Sequence, residues 1–296
     1  MLYRCTGIRP PLMHAIIEPL HAFTACDGPA LVVGRGAGAL NDVVDVPLAL
    51  ATTLGEREAE GEAIRVVVLR LVRRDDAAWA RTALEWLAER GRRVVLRTSV
   101  VMSRELEEAA RRWGCTILLE LAHRRPALQN ALLSDSADAA ASLLLHAQHL
   151  RRVGLEVAVN ITPILPVIHE DRDDTVALVK HVAAADIRDA HLTVGRLTPV
   201  RYEALKDVLP HSQLLSLLRA FDLDAASEDP MAKVPASGRR LPSLPMAALY
   251  HSVRMEAESV GLRIDHCGCP AQCHLDPQLV PDYVPLLTPD LFADAG

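Results

Sequence analysis

Residues 93–121 read RVVLRTSVVMSRELEEAARRWGCTILLEL and predict a strand, a helix and a second strand in immediate succession. The runs RVVLRT at 93–98 and CTILLEL at 115–121 are aliphatic and rich in β-branched residues, which is typical of buried strands. Between them, Ser103 is suited to cap a helix that runs to Trp113. Two strands joined in this way are expected to lie parallel, with the helix as their crossover.

The same alternation continues in both directions along the chain. Further strands are predicted at 30–33, 64–71, 155–162 and 191–197, and further helices at 77–90, 134–153, 173–185 and 202–221. Six β-then-α units with short connections indicate a parallel sheet with helices on its outer face. The sequence therefore predicts an α/β fold, a partial (β/α)6 TIM-like barrel with a C-terminal helix and a cysteine-rich loop. A flat, doubly wound sheet is the alternative.

Three segments are expected along the chain. Residues 1–28 form an N-terminal extension, residues 29–221 form the barrel, and residues 222–296 form a linker, a C-terminal helix and a cysteine-rich loop. The C-terminal helix is predicted at 246–260. The stretch 228–245 is rich in Pro, Ser, Gly and Arg, which is typical of a loop or lid.

Composition limits the possible function classes. The chain has 296 residues, a formal net charge of −6 and only 3% aromatic residues. The negative charge argues against a nonspecific nucleic-acid binder, although Arg124 and Arg125 form a local basic patch that leaves nucleic acid open. The sequence shows no secretory signal and no apolar run of the about 20 residues that a membrane span needs. A cytoplasmic protein is expected, with a small-molecule cofactor or substrate; a protein partner stays open.

A cysteine-rich run near the C-terminus, HCGCPAQCH at 266–274, predicts a metal site. Thiolates are soft ligands that suit zinc or iron–sulfur clusters. Cys267, Cys269 and Cys273 fit a [4Fe–4S] cluster with one iron open to a further ligand. With His266 or His274 added, the same thiolates make a closed zinc site, which is the alternative. Iron–sulfur is favoured, because each histidine adjoins a cysteine and would have to fold back to reach the same ion.

The other cysteines, Cys5, Cys26 and Cys115, are scattered along the chain. Isolated cysteines seldom form a disulfide framework or a metal site. They are therefore expected to be reduced thiols, mostly buried in the core.

Polar side chains occur where the predicted strands end. They are Arg70 and Arg73 after the second strand, Arg97, Thr98 and Ser99 after the third, Glu120 and His123 after the fourth, Asn160 and Thr162 in the fifth, and Arg196 after the sixth. The carboxyl ends of the strands form the active-site face of parallel barrels, so a polar pocket is expected there. Asn160 is the most informative, because an unpaired amide within an apolar strand would cost free energy.

Residues 91–99 (GRRVVLRTS) and 153–166 (VGLEVAVNITPILP) resemble the third and fifth strands of the radical-SAM superfamily. The resemblance is to the branch that contains spore photoproduct lyase and related DNA-photolyase-like proteins. It extends over 66–209, about half the chain, and the stretch VRYEAL at 200–205 resembles a later region of that branch. In the family the fifth strand passes the methionine and adenine of S-adenosylmethionine (SAM).

The resemblance implies SAM and an iron–sulfur cluster as cofactors, with an adenosyl radical that abstracts hydrogen from a buried substrate. It assigns the pocket for SAM or substrate to six residues: Arg97, Thr98, Glu120, Asn160, Thr162 and Arg196. No catalytic residue and no substrate can be named from the sequence.

The chain departs from the family at its defining motif. The family's Cys-x3-Cys-x2-Cys follows the first strand, where this chain has only Cys26, before the strand. Ser99 stands where the family has a lysine after the third-strand threonine. Two interpretations remain open. Either the C-terminal cysteines supply the cluster from another direction, or the barrel has lost SAM cleavage and acts as a binding or accessory subunit.

Overall fold

The computed structural model describes residues 14–18, 30–34, 46–61 and 64–264. Within this part of the chain, one sheet has the strand order β1 to β8, which follows the sequence. The strands are β1 (His14–Glu18), β2 (Ala30–Gly34), β3 (Val66–Leu71), β4 (Arg93–Thr98), β5 (Thr116–Leu121), β6 (Glu156–Ile164), β7 (Asp189–Val194) and β8 (Arg263–Ile264). β1 pairs antiparallel with β2, and every later pairing is parallel.

Helices alternate with the parallel strands over most of the sheet. They are α1 (Val46–Ala59), α2 (Asp76–Ala88), α3 (Arg104–Arg112), α4 (Pro126–Leu132), α5 (Ala140–Arg152), α6 (Arg172–Ala184), α7 (Pro199–Lys206), α8 (His211–Ala220) and α9 (Ser243–Ser259). The backbone N–H of Leu106 donates to the Ser103 hydroxyl, so Ser103 caps α3 as the sequence predicts.

The predicted α/β fold class is confirmed. The six predicted strands are β2 to β7, and they lie side by side in chain order. A doubly wound sheet reverses its strand order at a switch point, and this sheet has no such reversal. The architecture is that of a partial TIM-like barrel, with α9 as the C-terminal helix; the cysteine-rich loop lies outside the described residues.

The two faces of the parallel sheet have different surroundings. Successive side chains along a strand point to opposite faces, so Val67 and Leu69 join the core beneath the helices while Val66 and Val68 point away from it. On this inner face a small apolar cluster forms the floor of the barrel. Its members are Val66, Val68, Val95, Leu118 and Ala158. Each buried Val or Leu contributes about 1.5–3 kcal/mol, so the floor and the outer core together hold the strands in register.

Several boundaries differ from the sequence prediction for local reasons. The predicted helix 134–153 begins only at Ala140, because the Asp138 carboxylate accepts a hydrogen bond from the Val101 backbone N–H instead of joining a helix. The predicted helix 202–221 is divided into α7 and α8 at Pro210, which has no N–H to continue a helix. The strand predicted at 191–197 is β7, at Asp189–Val194.

Helices α1 and α4 and strands β1 and β8 are additions to the predicted elements. No helix of the described segments is both long enough and apolar enough to cross a membrane.

Candidate functional site

Glu120 lies at the centre of a charged cluster on the inner face of the barrel. Its side chain is 1% exposed. The Arg97 guanidinium donates from Nε to Oε1 of Glu120 at 2.6 Å, and its Nη2 lies 2.5 Å from the same oxygen. Arg70 donates from Nε to Oε2 at 3.4 Å. The register explains the contact: Arg70 is aligned with Arg97, Arg97 with Leu118, and Glu120 is the next inner-face residue after Leu118. Three neighbouring strands thus bring these side chains together just beyond the apolar floor.

Glu120 is held in its ionised form. Burial by itself raises the pKa of this carboxyl group, but the positive charges of Arg97 and Arg70 and their hydrogen bonds outweigh it, so that the pKa is lowered overall. A buried, ionised carboxylate on an inner barrel face is an acceptor of hydrogen bonds and a partner for cations. It is not a proton donor at neutral pH.

Arg201 of α7 completes what we call the Glu120 cluster (Arg70, Arg97, Glu120 and Arg201). Its Nε donates to the Leu132 carbonyl at 3.2 Å, and its Nη1 donates to the Arg196 carbonyl. Burial, and then the positive charge of Arg70, lower the pKa of Arg201 to about 10, while the negative charge of Glu120 opposes the shift. Arg201 therefore lies within the electrostatic field of the two residues that meet on the sheet.

Asn160 and Thr162 extend the polar inner face onto β6. Asn160 is aligned with Glu120 on one side and His191 on the other. Its Oδ1 accepts a hydrogen bond from the Thr193 hydroxyl at 3.0 Å, which satisfies the amide oxygen that the apolar strand would otherwise leave unpaired. Thr162 is two residues further along, on the same face by strand alternation, and is buried.

Glycine is required where β7 ends beside this part of β6. Gly195 donates its backbone N–H to the Ile164 carbonyl at 2.9 Å. A Cβ atom at Gly195 would lie 2.2 Å from the Cβ of Pro163, closer than two carbons can approach. Because Gly195 has no side chain, the backbone that follows β7 can pack directly against β6. This contact fixes where the next residues begin.

The other two predicted site residues have different positions. Thr98 is aligned with Leu71 and Leu119 of the outer core, and its hydroxyl bonds to the backbone N–H and carbonyl of Val100 at 3.0 and 2.7 Å. It therefore supports the turn after β4 from the outer face. Arg196 follows β7, is partly exposed, and meets the Glu120 cluster through its carbonyl group.

The sequence analysis names Arg70 among the polar residues at the strand ends but leaves it out of the six residues assigned to SAM or substrate, and it does not name Arg201 as a site residue. Arg70 carried a usable signal, because it shares the two-residue alternation of Val66 and Val68 and is therefore an inner-face residue. Arg201 had no such signal, because it lies on helix α7 and strand alternation does not apply to it. It does belong to the stretch 200–205 that resembles the radical-SAM branch.

A second charged group lies at the carboxyl edge of the sheet, where the loop after β5 meets the start of α6. We call it the Asp174 cluster, and its members are His123, Arg124, Arg125 and Asp174. The Asp174 carboxylate pairs with Arg124 and with Arg125 at 3.0 Å, and Nε2 of His123 lies 3.4 Å from it without forming a hydrogen bond. Burial, and then the neighbouring His169, lower the pKa of His123 to about 4, although Asp174 opposes the shift. His123 is neutral at physiological pH, and the cluster joins a strand end to a helix.

The described part of the chain contains no group of three or more His, Cys, Asp or Glu side chains placed to hold a metal ion. Cys115 is buried, as predicted, and burial raises the pKa of its thiol to about 12, so it stays protonated. The predicted ligands Cys267, Cys269 and Cys273, together with Cys5 and Cys26, lie outside the described residues.

Comparisons with known proteins agree with this architecture. No family model matches the chain, and no curated protein matches it in sequence. Among solved structures, a spore photoproduct lyase variant is similar with a TM-score of 0.53 and 14% identity, over 76% of this chain and 67% of that protein. A second variant of the lyase gives 0.48 and 12%, over 73% and 65%.

SuiB from Streptococcus suis, bound to its precursor peptide SuiA, has a TM-score of 0.47 and 11% identity, over 83% of this chain and 45% of that protein. The chain thus spans about two thirds of the lyase and less than half of SuiB. At these identities the likeness concerns the fold: the chain shares the barrel of spore photoproduct lyase.

Proposed function

We propose that the chain is a divergent radical-SAM-like protein whose inner barrel face binds SAM or substrate. The observation that carries the proposal is the polar inner face centred on Glu120 and Asn160. It occurs on a barrel that resembles spore photoproduct lyase both in strand motifs and in overall fold. Polar groups that converge at the carboxyl ends of parallel strands are typical of a ligand site.

The inner-face residues have properties that suit a polar ligand. Glu120 is ionised and accepts hydrogen bonds, so its carboxylate suits ligand hydroxyl or amino groups. Arg97, Asn160 and Thr162 add donors on the same face, and Arg196 follows the adjacent strand. Thr98 lies on the outer face, so its role in this proposal is indirect: its hydroxyl fixes the turn that follows Arg97.

We assign the cluster ligands to Cys267, Cys269 and Cys273, with a [4Fe–4S] cluster as the expected cofactor and zinc as the alternative. In the radical-SAM superfamily a reduced cluster supplies the electron that cleaves SAM. In this proposal the cysteines would hold the cluster, and the inner-face side chains have a different role. Their role is to bind and orient.

The test is anaerobic reconstitution with iron and sulfide, followed by incubation with SAM and a reductant. We expect about four irons per chain, as a [4Fe–4S] cluster requires, and formation of 5′-deoxyadenosine. Cys269→Ser is expected to lose the iron while the far-ultraviolet circular dichroism stays unchanged, with Cys115→Ser as a matched control that keeps the iron. A wild-type chain that binds neither iron nor SAM under these conditions contradicts the proposal.

A binding or accessory subunit without radical chemistry is the second candidate. It is favoured by two observations: the sequence has no Cys-x3-Cys-x2-Cys motif, and Ser99 stands where the family that it resembles has a lysine. This candidate predicts that SAM binds but that no 5′-deoxyadenosine forms, with or without iron. Detection of 5′-deoxyadenosine that depends on Cys269 excludes it.

A further inference from the structure

A loop at the carboxyl end of β7 holds Arg196, one of the residues assigned to the pocket, and neighbouring elements fix its backbone. The N–H of Gly195 donates to the carbonyl of Ile164 in β6 at 2.9 Å. The carbonyl of Arg196 accepts a hydrogen bond from the Arg201 side chain of α7. Within residues 64–264, no side chain forms an ion pair with the Arg196 guanidinium, so it can donate to a ligand.

A third element that holds this loop is the segment 222–242 between α8 and α9, which we call the strap. Its Arg239 exchanges two backbone hydrogen bonds with Leu197, at 2.9 and 3.0 Å. On either side of this contact, Met231 and Leu241 bury their side chains in the outer core. The strap, most of which the sequence predicts as a loop or lid, is therefore anchored at both ends and joined to the loop after β7.

Gly238 lets the strap approach this loop closely. Its φ of +84° lies in the left-handed region that favours glycine. An added Cβ would lie 2.8 Å from Cγ2 of Thr198, 3.0 Å from the Leu197 carbonyl oxygen and 3.1 Å from Cβ of Arg196. The Thr198 side chain cannot rotate away freely, because its hydroxyl accepts from the Arg201 backbone N–H and caps α7. Only glycine thus allows the strap to pack directly against Arg196.

We propose that Gly238 is a positioning residue of the ligand site, because it lets the strap hold Arg196 where its guanidinium contacts SAM. A long arginine side chain loses conformational entropy when it binds a ligand, and neighbours that restrict it beforehand reduce this loss. Gly238 lies against the Cβ of Arg196, and the bond pair to Leu197 fixes the next residue. The inference deepens the proposed function, on which it rests, by adding a segment outside the strands to the site.

The experiment measures the dissociation constant of SAM by equilibrium dialysis with the anaerobically reconstituted, full-length protein. Arg196→Gln removes the proposed contact and is expected to weaken binding about 10-fold, the loss of one charge-assisted hydrogen bond. Gly238→Ala should weaken it by a similar factor, because the added methyl group displaces the strap. Gly154→Ala is the matched control: its φ is also left-handed, at +87°, but no atom lies within 4 Å of the added carbon. It imposes the same backbone strain without the contact and should bind SAM like the wild type.

Two double variants separate positioning from a general loss of structure. Arg196→Gln with Gly238→Ala should bind about 10-fold more weakly than the wild type rather than about 100-fold, because effects that act through one residue do not add. Gly238→Ala with Thr198→Ser removes the methyl group 2.8 Å from the added carbon and keeps the cap hydroxyl, so part of the lost binding should return. If Gly238→Ala does not fold, Arg239→Pro, which removes the N–H that donates to Leu197, takes its place in the comparison with Arg196→Gln.

The inference and the proposed function fail in different ways. If SAM binds but either Arg196→Gln or Gly238→Ala leaves its dissociation constant unchanged, the inference is overturned and the proposed function stands. Fully additive losses in the double variant of these two residues overturn it as well. A reconstituted wild-type chain that binds no SAM fails at the proposed function itself, and the inference falls with it.

Discussion

Two carboxylates in this barrel are each held by a pair of arginines, and the difference between their surroundings separates a candidate ligand site from a structural contact. They are Glu120 with Arg97 and Arg70, and Asp174 with Arg124 and Arg125. The pKa of each carboxyl group is lowered, because in both cases the neighbouring positive charges outweigh the effect of burial. The local chemistry of the two pairs is therefore nearly the same.

Exposure and partners distinguish the two clusters. The side chain of Arg97 is 10% exposed and that of Arg70 is 41% exposed, whereas those of Arg124 and Arg125 are 46% and 55% exposed. The carboxylate of Asp174 also contacts His123, which ties the loop after β5 to α6. The Glu120 cluster instead lies on the inner face of the barrel, so the same pair of residue types occurs in a candidate ligand site in one place and in a structural contact in the other.

The largest expected effect is the loss of the buried carboxylate. Glu120→Ala removes a buried carboxylate that the Arg97 guanidinium binds at 2.6 Å, and we expect the free energy of unfolding to fall by about 3–5 kcal/mol. Urea denaturation measures the change. Glu108→Gln, which breaks the exposed Arg104–Glu108 pair, is the control and should cost under about 1 kcal/mol. A similar loss in both variants would mean that burial does not distinguish these ion pairs.

Acid is expected to lower the stability of the folded protein through His123, because burial disfavours its protonated form. Its pKa is lowered to about 4 from an ordinary value of 6.5, so between these pH values the unfolded chain binds a proton that the folded chain does not. The contribution of His123 to the free energy of unfolding is therefore fully present above pH 6.5. It is lost as the pH falls toward 4, by about 3 kcal/mol in total.

The measurement compares the pH dependence of urea unfolding in the wild type and in His123→Gln. Carboxylates titrate in both proteins, so the difference between the two curves isolates the histidine. The variant is expected to show a shallower loss of stability between pH 6.5 and pH 4. His251→Gln, at an exposed position on α9, should keep the wild-type curve.

An added methyl group tests how closely β7 must approach β6 beside the inner face. Gly195→Ala would place a Cβ atom 2.2 Å from the Pro163 Cβ, so one of the two backbones must move, and we expect a loss of about 2 kcal/mol. Gly55→Ala, within α1 and with no atom within 4 Å of the added carbon, is the control and should gain stability, by up to about 1 kcal/mol. Thermal unfolding of the two variants in opposite directions would support the tight contact; a neutral Gly195→Ala would argue against it.

The sequence was sufficient for the fold because the strands are aliphatic and regularly spaced, and β2 to β7 lie where their periodicity predicts. It was less informative about which side chains share a pocket. Arg97 and Thr98 are neighbours in the sequence, yet adjacent residues in a strand point to opposite faces, so only Arg97 reaches Glu120. The start of α5 depended on a hydrogen bond from Val101 to Asp138, a contact between distant residues that no local pattern reveals.

The smallest expected effect is the loss of one exposed arginine from the Asp174 cluster. Arg124→Gln removes one partner of Asp174, but the carboxylate keeps Arg125 and its contact with His123. With almost half of the Arg124 side chain exposed, water and salt already screen the pair, and we expect a loss of only about 0.5 kcal/mol in urea denaturation. Raising the salt concentration should reduce even this difference, because screening acts on exposed charges first. If Arg124→Gln lowered the free energy of unfolding by several kcal/mol, the Asp174 cluster would contribute as much to stability as the Glu120 cluster. Exposure would then no longer separate the structural contact from the candidate ligand site.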